Sequence, residues 1–242
     1  YVWDLQEGFT HEDEAALRIA KASVGQGLNL EEPKEGKVNL TSAVKGLLKV
    51  NIEGLKELNS LGEVAFVTLH NNQVVEAGKL LAGTRIIPLV MEEEKVKKIE
   101  ELSQVHYPLI EVKPLKKHRV GVVTTGSEVY HGRIEDKFGS VIKKKMDYLG
   151  SQILEQIIVP DEVDRIVEAI KELLAKGADF IAVTGGMSVD PDDVSPSGIR
   201  AMGGEIITYG APVLPGAMFM LAYLDDIPIV GLPGCVMYHG TT

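Results

Sequence analysis

From residue 119 onward, short apolar runs alternate with stretches whose apolar positions recur every three or four residues. Arg119 to Thr125 (RVGVVTT) reads as a strand buried on both faces. Val141, Ile142, Met146 and Leu149 follow at helical spacing, and Gly150 ends that helix. Ile153 to Val159 is the next strand. Asp161 is the expected N-cap of a helix whose stripe is Val163, Ile166, Val167, Ile170, Leu173 and Leu174, ending at Gly177. Phe180 to Thr184 is a third strand, and Ser195 to Met202 a short helix. Glu205 to Tyr209, Met218 to Tyr223 and Ile227 to Gly231 are further strands. Strands alternating with helices of this length predict a parallel, doubly wound sheet.

Before about residue 115 the texture differs, with short mixed segments rich in Gly, Glu and Lys. His11 to Ala22 is an expected helix with acidic residues in its first turn, and Leu40 to Val50 another. Val64 to Leu69 and Gln73 to Ala77 are expected to pair as a hairpin across Asn71-Asn72. Ile86 to Val90 is one more strand. The run Glu92 to Glu101, with Val96, Ile99 and Leu102, reads as a solvated helix leading to a linker. Residues 1–115 are therefore expected to form a mixed α+β region, and residues 116–242 an α/β domain.

The 242 residues suffice for one large domain or two modest ones. A formal net charge of −10 excludes nucleic acid and anionic membrane as main partners, and 5% aromatic content excludes a stacking platform for single strands. The single cysteine, Cys235, fits a reducing cytoplasm. No apolar run is long enough to span a bilayer and no signal-peptide pattern opens the chain. A chain that opens at Tyr1 and stops after His239-Gly240-Thr241-Thr242 is expected to be a fragment of a longer protein.

Candidate chemistry concentrates after the strands. Thr184-Gly185-Gly186-Met187-Ser188-Val189-Asp190-Pro191-Asp192-Asp193 follows a buried strand, and its double glycine suits a backbone cradle for phosphate. The same composition also serves a plain βα turn. Three aspartates beside such a cradle imply an intervening divalent cation, and Mg²⁺ suits carboxylate and phosphate oxygens. Thr124-Thr125-Gly126-Ser127-Glu128, leading to Ile134-Glu135-Asp136-Lys137, and Gly231-Leu232-Pro233-Gly234-Cys235 fall at the ends of two further strands. Ligands of open parallel sheets bind at such ends. Cys235 and His239 would share one helix face, but a lone cysteine is more often a small buried apolar residue. His11, His70, His106, His118 and His131 lack ligand spacing, so no transition-metal site is expected.

Thr125-Gly126-Ser127-Glu128, Asp136, Asp161-Glu162, Thr184 to Val189 with Asp193, and Gly231-Leu232-Pro233-Gly234 occur in that order. This series resembles the molybdopterin-binding domain shared by MogA, MoeA and CinA proteins, over about residues 117–242, and MoeA-like members most of all. The resemblance implies a three-layer α/β/α fold with a mostly parallel sheet, binding molybdopterin or adenylyl-molybdopterin. It implies ligand contacts from Thr125, Gly126, Ser127, Glu128, Gly185, Gly186, Met187, Ser188, Gly231, Pro233 and Gly234. It further implies Asp136 and Asp193 as catalytic acids, with Asp192 and Asp193 holding Mg²⁺ for molybdate insertion and AMP release. A homo-oligomer, and a molybdoenzyme or cofactor-pathway partner, are expected on the same ground.

MoeA-like chains carry a Lys-Pro-Gly-Lys-Pro segment where this one has Val213-Leu214-Pro215-Gly216-Ala217-Met218. Losing both cations favours a carrier or sensor as the alternative to an insertase. A CinA-like nucleotide pyrophosphatase is a third reading, which the Gly-Gly-Met-Ser loop disfavours.

Overall fold

In a computed structural model of the chain, residues 7–187 and 194–238 are described. Two compact units divide it, Tyr1–Leu115 and Lys116–Thr242.

The first unit contains β1 (Phe9–His11), α1 (Glu12–Ser23), β2 (Leu28–Leu30), β3 (Lys37–Ser42), β4 (Gly46–Val50) and α2 (Ile52–Ser60). There follow β5 (Val64–Thr68), β6 (Val74–Val75), β7 (Leu80–Ile86), β8 (Val90–Glu92), α3 (Glu93–Val105) and β9 (Ile110–Pro114). The strands form small antiparallel sheets of orders β1-β8, β2-β3-β7-β5 and β6-β4-β9. The expected first helix forms, capped by His11, whose Nδ1 accepts from the Asp13 N–H at 3.2 Å. Ala15, Ala16, Ile19 and Ala20 carry its buried face into a core with Leu40, Leu48 and Phe66.

Three expectations fail in this unit, and a fourth, the helix after residue 92, forms but is more buried than expected. Leu40 to Val50 is not a helix but the end of β3, a turn and β4. Val38, Leu40 and Ser42 are buried alternately, as are Gly46, Leu48 and Val50, the period-two pattern of strands. Gly46 marks the crossing onto β9, where a Cβ would stand 2.4 Å from the Lys113 carbonyl oxygen. The Asn71-Asn72 hairpin does not form either, because β5 pairs with β7 while β6 pairs with β4. Asn71 Oδ1 accepts from the Val50 N–H at 3.0 Å, so this turn docks on β4. Ile86 to Val90 divides, Ile86 ending β7 and Val90 opening β8. Helix α3 is more than a solvated face, since Val96, Ile99 and Ser103 are buried and Ser103 meets Ser23 of α1 through their hydroxyls at 3.2 Å.

The second unit contains β10 (Arg119–Thr125), α4 (Ser127–Tyr130), α5 (Phe138–Tyr148), β11 (Gln152–Val159), α6 (Val163–Ala175) and β12 (Phe180–Thr184). After these come α7 (Val194–Ala201), β13 (Glu205–Tyr209), β14 (Met220–Leu224), β15 (Ile227–Leu232) and a 3₁₀ turn, Gly234–Met237. The sheet order is β11-β10-β12-β15-β14-β13. Strands β11, β10, β12 and β15 are mutually parallel. The sheet is mostly parallel, as expected, with β14 running antiparallel to both its neighbours. A tight turn at Asp225-Asp226, with Asp225 at φ 50°, folds β14 directly back onto β15.

Successive strand residues point to opposite faces, and both faces are covered. Val123, Ile181, Val183 and Ile229 share a core with Ile166, Ile170 and Leu173 of α6 and Ile199 of α7. Val122, Ala182 and Val230 face the other way, with Ile142 of α5 and Val236. The unit is thus a three-layer α/β/α domain with a mostly parallel sheet. Double coverage explains why its central strands are continuous apolar runs. Gly121 lets α6 lie close to β10, since a Cβ there would meet that of Leu173 at 2.9 Å.

Candidate functional site

The parallel strands end level with one another. Thr124 is in register with Thr184, Thr184 with Leu232, and Thr125 with Val159. The loops after β10, β11, β12 and β15 therefore open on one edge of the sheet. The chain passes from β10 to β11 on one side and returns to β12 on the other, which puts the reversal of winding between β10 and β12. A crevice opens outside the carboxyl ends of the strands at such a point. Thr125-Gly126 and Gly185-Gly186 meet at this point, in direct contact.

Gly126 adopts φ 152° and its N–H donates to the Val159 carbonyl at 3.1 Å, turning the chain into α4. The Ser127 N–H donates to Asp161 Oδ2 at 2.9 Å. Asp161 therefore ties down the loop after β10 instead of capping α6, whose N-cap is Glu162 without a side-chain bond. Ser127 and Glu128 are exposed. Arg165 of α6 bonds Tyr130 and Glu168, and both contacts raise the guanidinium above its ordinary value, the Tyr130 bond most.

Gly185 and Gly186 have φ 88° and 53°, in the left-handed region that favours glycine. Close approach adds a second requirement. A Cβ on Gly185 would stand 2.1 Å from the Thr125 carbonyl oxygen, and one on Gly186 3.1 Å from Ser195 Oγ. The Ser195 hydroxyl donates to the Gly185 carbonyl at 2.8 Å, binding the start of α7 to this turn. The hydroxyls of Thr125 (4% exposed) and Thr184 (0%) are buried and have no hydrogen-bond partner among the described residues. A buried hydroxyl without a partner costs about 1–3 kcal/mol, so two at one strand edge are costly unless something satisfies them.

Met187 turns its side chain into the core, 5% exposed, against Gly231 of β15. Pro233 is buried and Gly234, exposed, opens the 3₁₀ turn that contains the half-buried Cys235. Ser188, Asp192, Asp193 and His239 lie outside the described residues.

Asp136 closes the far end of the loop after β10. Its Oδ1 accepts from the Phe138 N–H at 2.8 Å and its Oδ2 from the Gly139 N–H at 3.1 Å, satisfying orphan donors at the start of α5. Gln156 Nε2 adds a third bond to Oδ2 at 2.7 Å and also donates to Thr124 Oγ1 at 2.8 Å. Gln156 and Ser195 lie outside the expected site residues, whereas Thr124 opens the first of the expected loops. Gln156 directly follows Glu155 in β11, and the pattern alone does not set it apart from the strand's other polar positions, Gln152 and Glu155. Among the described residues no group of three His, Cys, Asp or Glu side chains could hold a metal ion. Nor is any helix of them long and apolar enough to cross a membrane.

Residues 121–239 match the family described as "Probable molybdopterin binding domain". This half of the chain belongs to that family. Molybdopterin molybdenumtransferase of Staphylococcus aureus (strain COL) is 29% identical over 135 residues, which cover 53% of this chain and 32% of the relative. Molybdopterin molybdenumtransferase of Bacillus subtilis (strain 168) is 27% identical over 162 residues, covering 64% and 35%. The matched part thus spans only 32% and 35% of those two relatives' length. Among solved structures, the tungsten cofactor synthesizing protein MoaB from Pyrococcus furiosus aligns at 25% identity and a TM-score of 0.42, covering 50% of this chain and 84% of that one. The molybdopterin-binding domain of this chain is the unit that carries the crevice.

Proposed function

We propose that the chain binds molybdopterin or adenylyl-molybdopterin in the crevice between β10 and β12, as a MoeA-like protein of molybdenum-cofactor maturation. The carrying observation is a pair of hydroxyls without a partner among the described residues, Thr125 and Thr184, buried where two glycine turns meet at the reversal of winding. Gly185, Gly186 and Ser188 take the ligand's phosphate, while Thr125, Gly126, Ser127, Glu128 and Asp136 complete the site. Met187, Gly231 and Pro233 act from beneath as packing that holds the loops in place, and Gly234 leads the last loop outward. The proposal assigns Mg²⁺ to Asp192 and Asp193 with Asp193 also acting as an acid. The described residues alone do not build a cation site.

One observation favours a carrier or sensor over an insertase. The loop 210–219 joins β13 to β14, and Met220 at its end is in register with Gly231, so it opens on the ligand edge. It presents Val213 (52% exposed) and Leu214 (86%) there and no cation. An anionic ligand gains no charge pairing from this side.

Titration of the purified chain with molybdopterin and with adenylyl-molybdopterin, with and without Mg²⁺, tests the reading, followed by measurement of AMP released on adding molybdate. Binding with AMP release supports the transferase, and binding without it the carrier. Binding of neither ligand overturns the proposal, and hydrolysis of ADP-ribose in its place assigns a pyrophosphatase.

A further inference from the structure

The bond from Gln156 to Asp136 exceeds what folding of α5 requires. Two backbone N–H groups already satisfy the Asp136 carboxylate as a helix cap. Gln156 nevertheless places one amide nitrogen between Asp136 Oδ2 and Thr124 Oγ1, at 2.7 and 2.8 Å. Thr124 is fully buried, and the hydroxyl of its neighbour Thr125 has no partner among the described residues. Gln156 thus links the rigid end of β10 to the far end of the exposed loop that leaves it. The approach is tight, because a Cβ on Gly139 would stand 2.0 Å from Gln156 Oε1 and 2.8 Å from Asp136 Oδ2. Glycine at 139 is what gives the amide room to reach the carboxylate.

We propose that Gln156 is a positioning residue for the ligand site, fixing the Asp136 carboxylate in one orientation relative to the end of β10. This rests on the reading that Asp136 faces the ligand. Two backbone N–H groups, one to each oxygen, hold the carboxylate from its own loop. The third donor, set on β11, ties Oδ2 to the end of the sheet independently of that loop. A group that must meet a ligand in one geometry gains from being held by a strand rather than by its own loop.

The test is a double-mutant cycle read by anaerobic molybdopterin titration of the whole chain. Wild type, Gln156→Met, Asp136→Asn and the double variant are compared, with a thermal melt of each. We expect Gln156→Met to weaken binding about tenfold, the usual scale for one bond to a charged group, with the melting temperature of the second unit little changed. In the Asp136→Asn background the same change should cost less than about twofold, because its route of action is already cut. Gln156→Asn, which keeps the amide but shortens its reach, should behave like the methionine variant and replaces it should that variant not fold. Equal losses in both backgrounds, or no loss in either, overturn the positioning role. Failure of the wild type to bind molybdopterin overturns the site reading itself, and is seen before any variant is compared.

Discussion

The Met187 side chain packs directly on Gly231, so that a Cβ at Gly231 would stand 2.3 Å from Met187 Cε and 3.0 Å from the Cβ of Met220. The contact joins the loop after β12 to the adjacent strand β15 and anchors the residue that follows Gly185-Gly186. Gly231→Ala should therefore destabilise the second unit by about 1–3 kcal/mol, the usual cost of forcing a methyl group into a filled core. Met187→Ala should relieve part of that cost, giving a coupling of opposite sign to the two single losses. Hydrogen exchange of β12 and β15 amides measures this without assuming that both units unfold together.

The two consecutive glycines should respond unequally. At Gly185 an alanine Cβ meets a backbone oxygen at 2.1 Å in a left-handed conformation, and backbone must move to admit it. At Gly186 the nearest atom, at 3.1 Å, is the rotatable Ser195 hydroxyl. Gly185→Ala is expected to cost more than about 2 kcal/mol and to abolish ligand binding. Gly186→Ala should cost about 1–2 kcal/mol, chiefly the left-handed penalty. Urea unfolding followed by resonances of the second unit should rank them in that order.

Legibility followed burial. Strands β10 and β12 are covered on both faces, so Val120 to Val123 and Phe180 to Val183 stand out as apolar runs without any alignment. Strands β3 and β4 are different. Leu40, Val44, Leu47 and Leu48 satisfy helical spacing as well as alternation, and only pairing with β7 and β9 decides between them. The three convergent loops were readable because each follows a recognisable strand. The uses of Asp161 and Asp136 were not. A carboxylate near a helix start looks the same whether it caps its own helix, as Asp136 does, or holds the backbone of another loop, as Asp161 does. Nor does alternation tell strand direction, so the reversal of β14 at Asp225-Asp226 went unseen.

In the first unit, acid should loosen the contact between α1 and α3. Glu93 accepts bonds from Arg18 and Thr10, which pull its carboxyl from the ordinary 4.5 down to about 2, the Arg18 bond contributing most. A carboxyl depressed in the folded state stabilises that state above its unfolded value and loses the effect as pH falls through the folded one. Wild type and Glu93→Gln should therefore differ in α1 and α3 protection above pH 4.5, and converge as pH falls toward 2. Hydrogen exchange compared at matched pH checks the sign. A difference that grows toward pH 2 would contradict it.

The apolar ligand edge can be tested by putting charge back. Leu214 is 86% exposed, so lysine there costs no packing, and Ala217 lies on the same loop. Each exposed cation near an anionic ligand contributes about 0.2–1 kcal/mol. Leu214→Lys with Ala217→Lys should then tighten molybdopterin binding about twofold to thirtyfold at low salt. The gain should shrink as salt rises, because the screening length falls from about 10 Å at 0.1 M to about 3 Å at 1 M. A gain that survives high salt would come from altered loop packing instead of charge. Release of AMP by the double variant alone would show that the missing lysines separate a carrier from a transferase. Release by the wild type as well would leave them a matter of affinity.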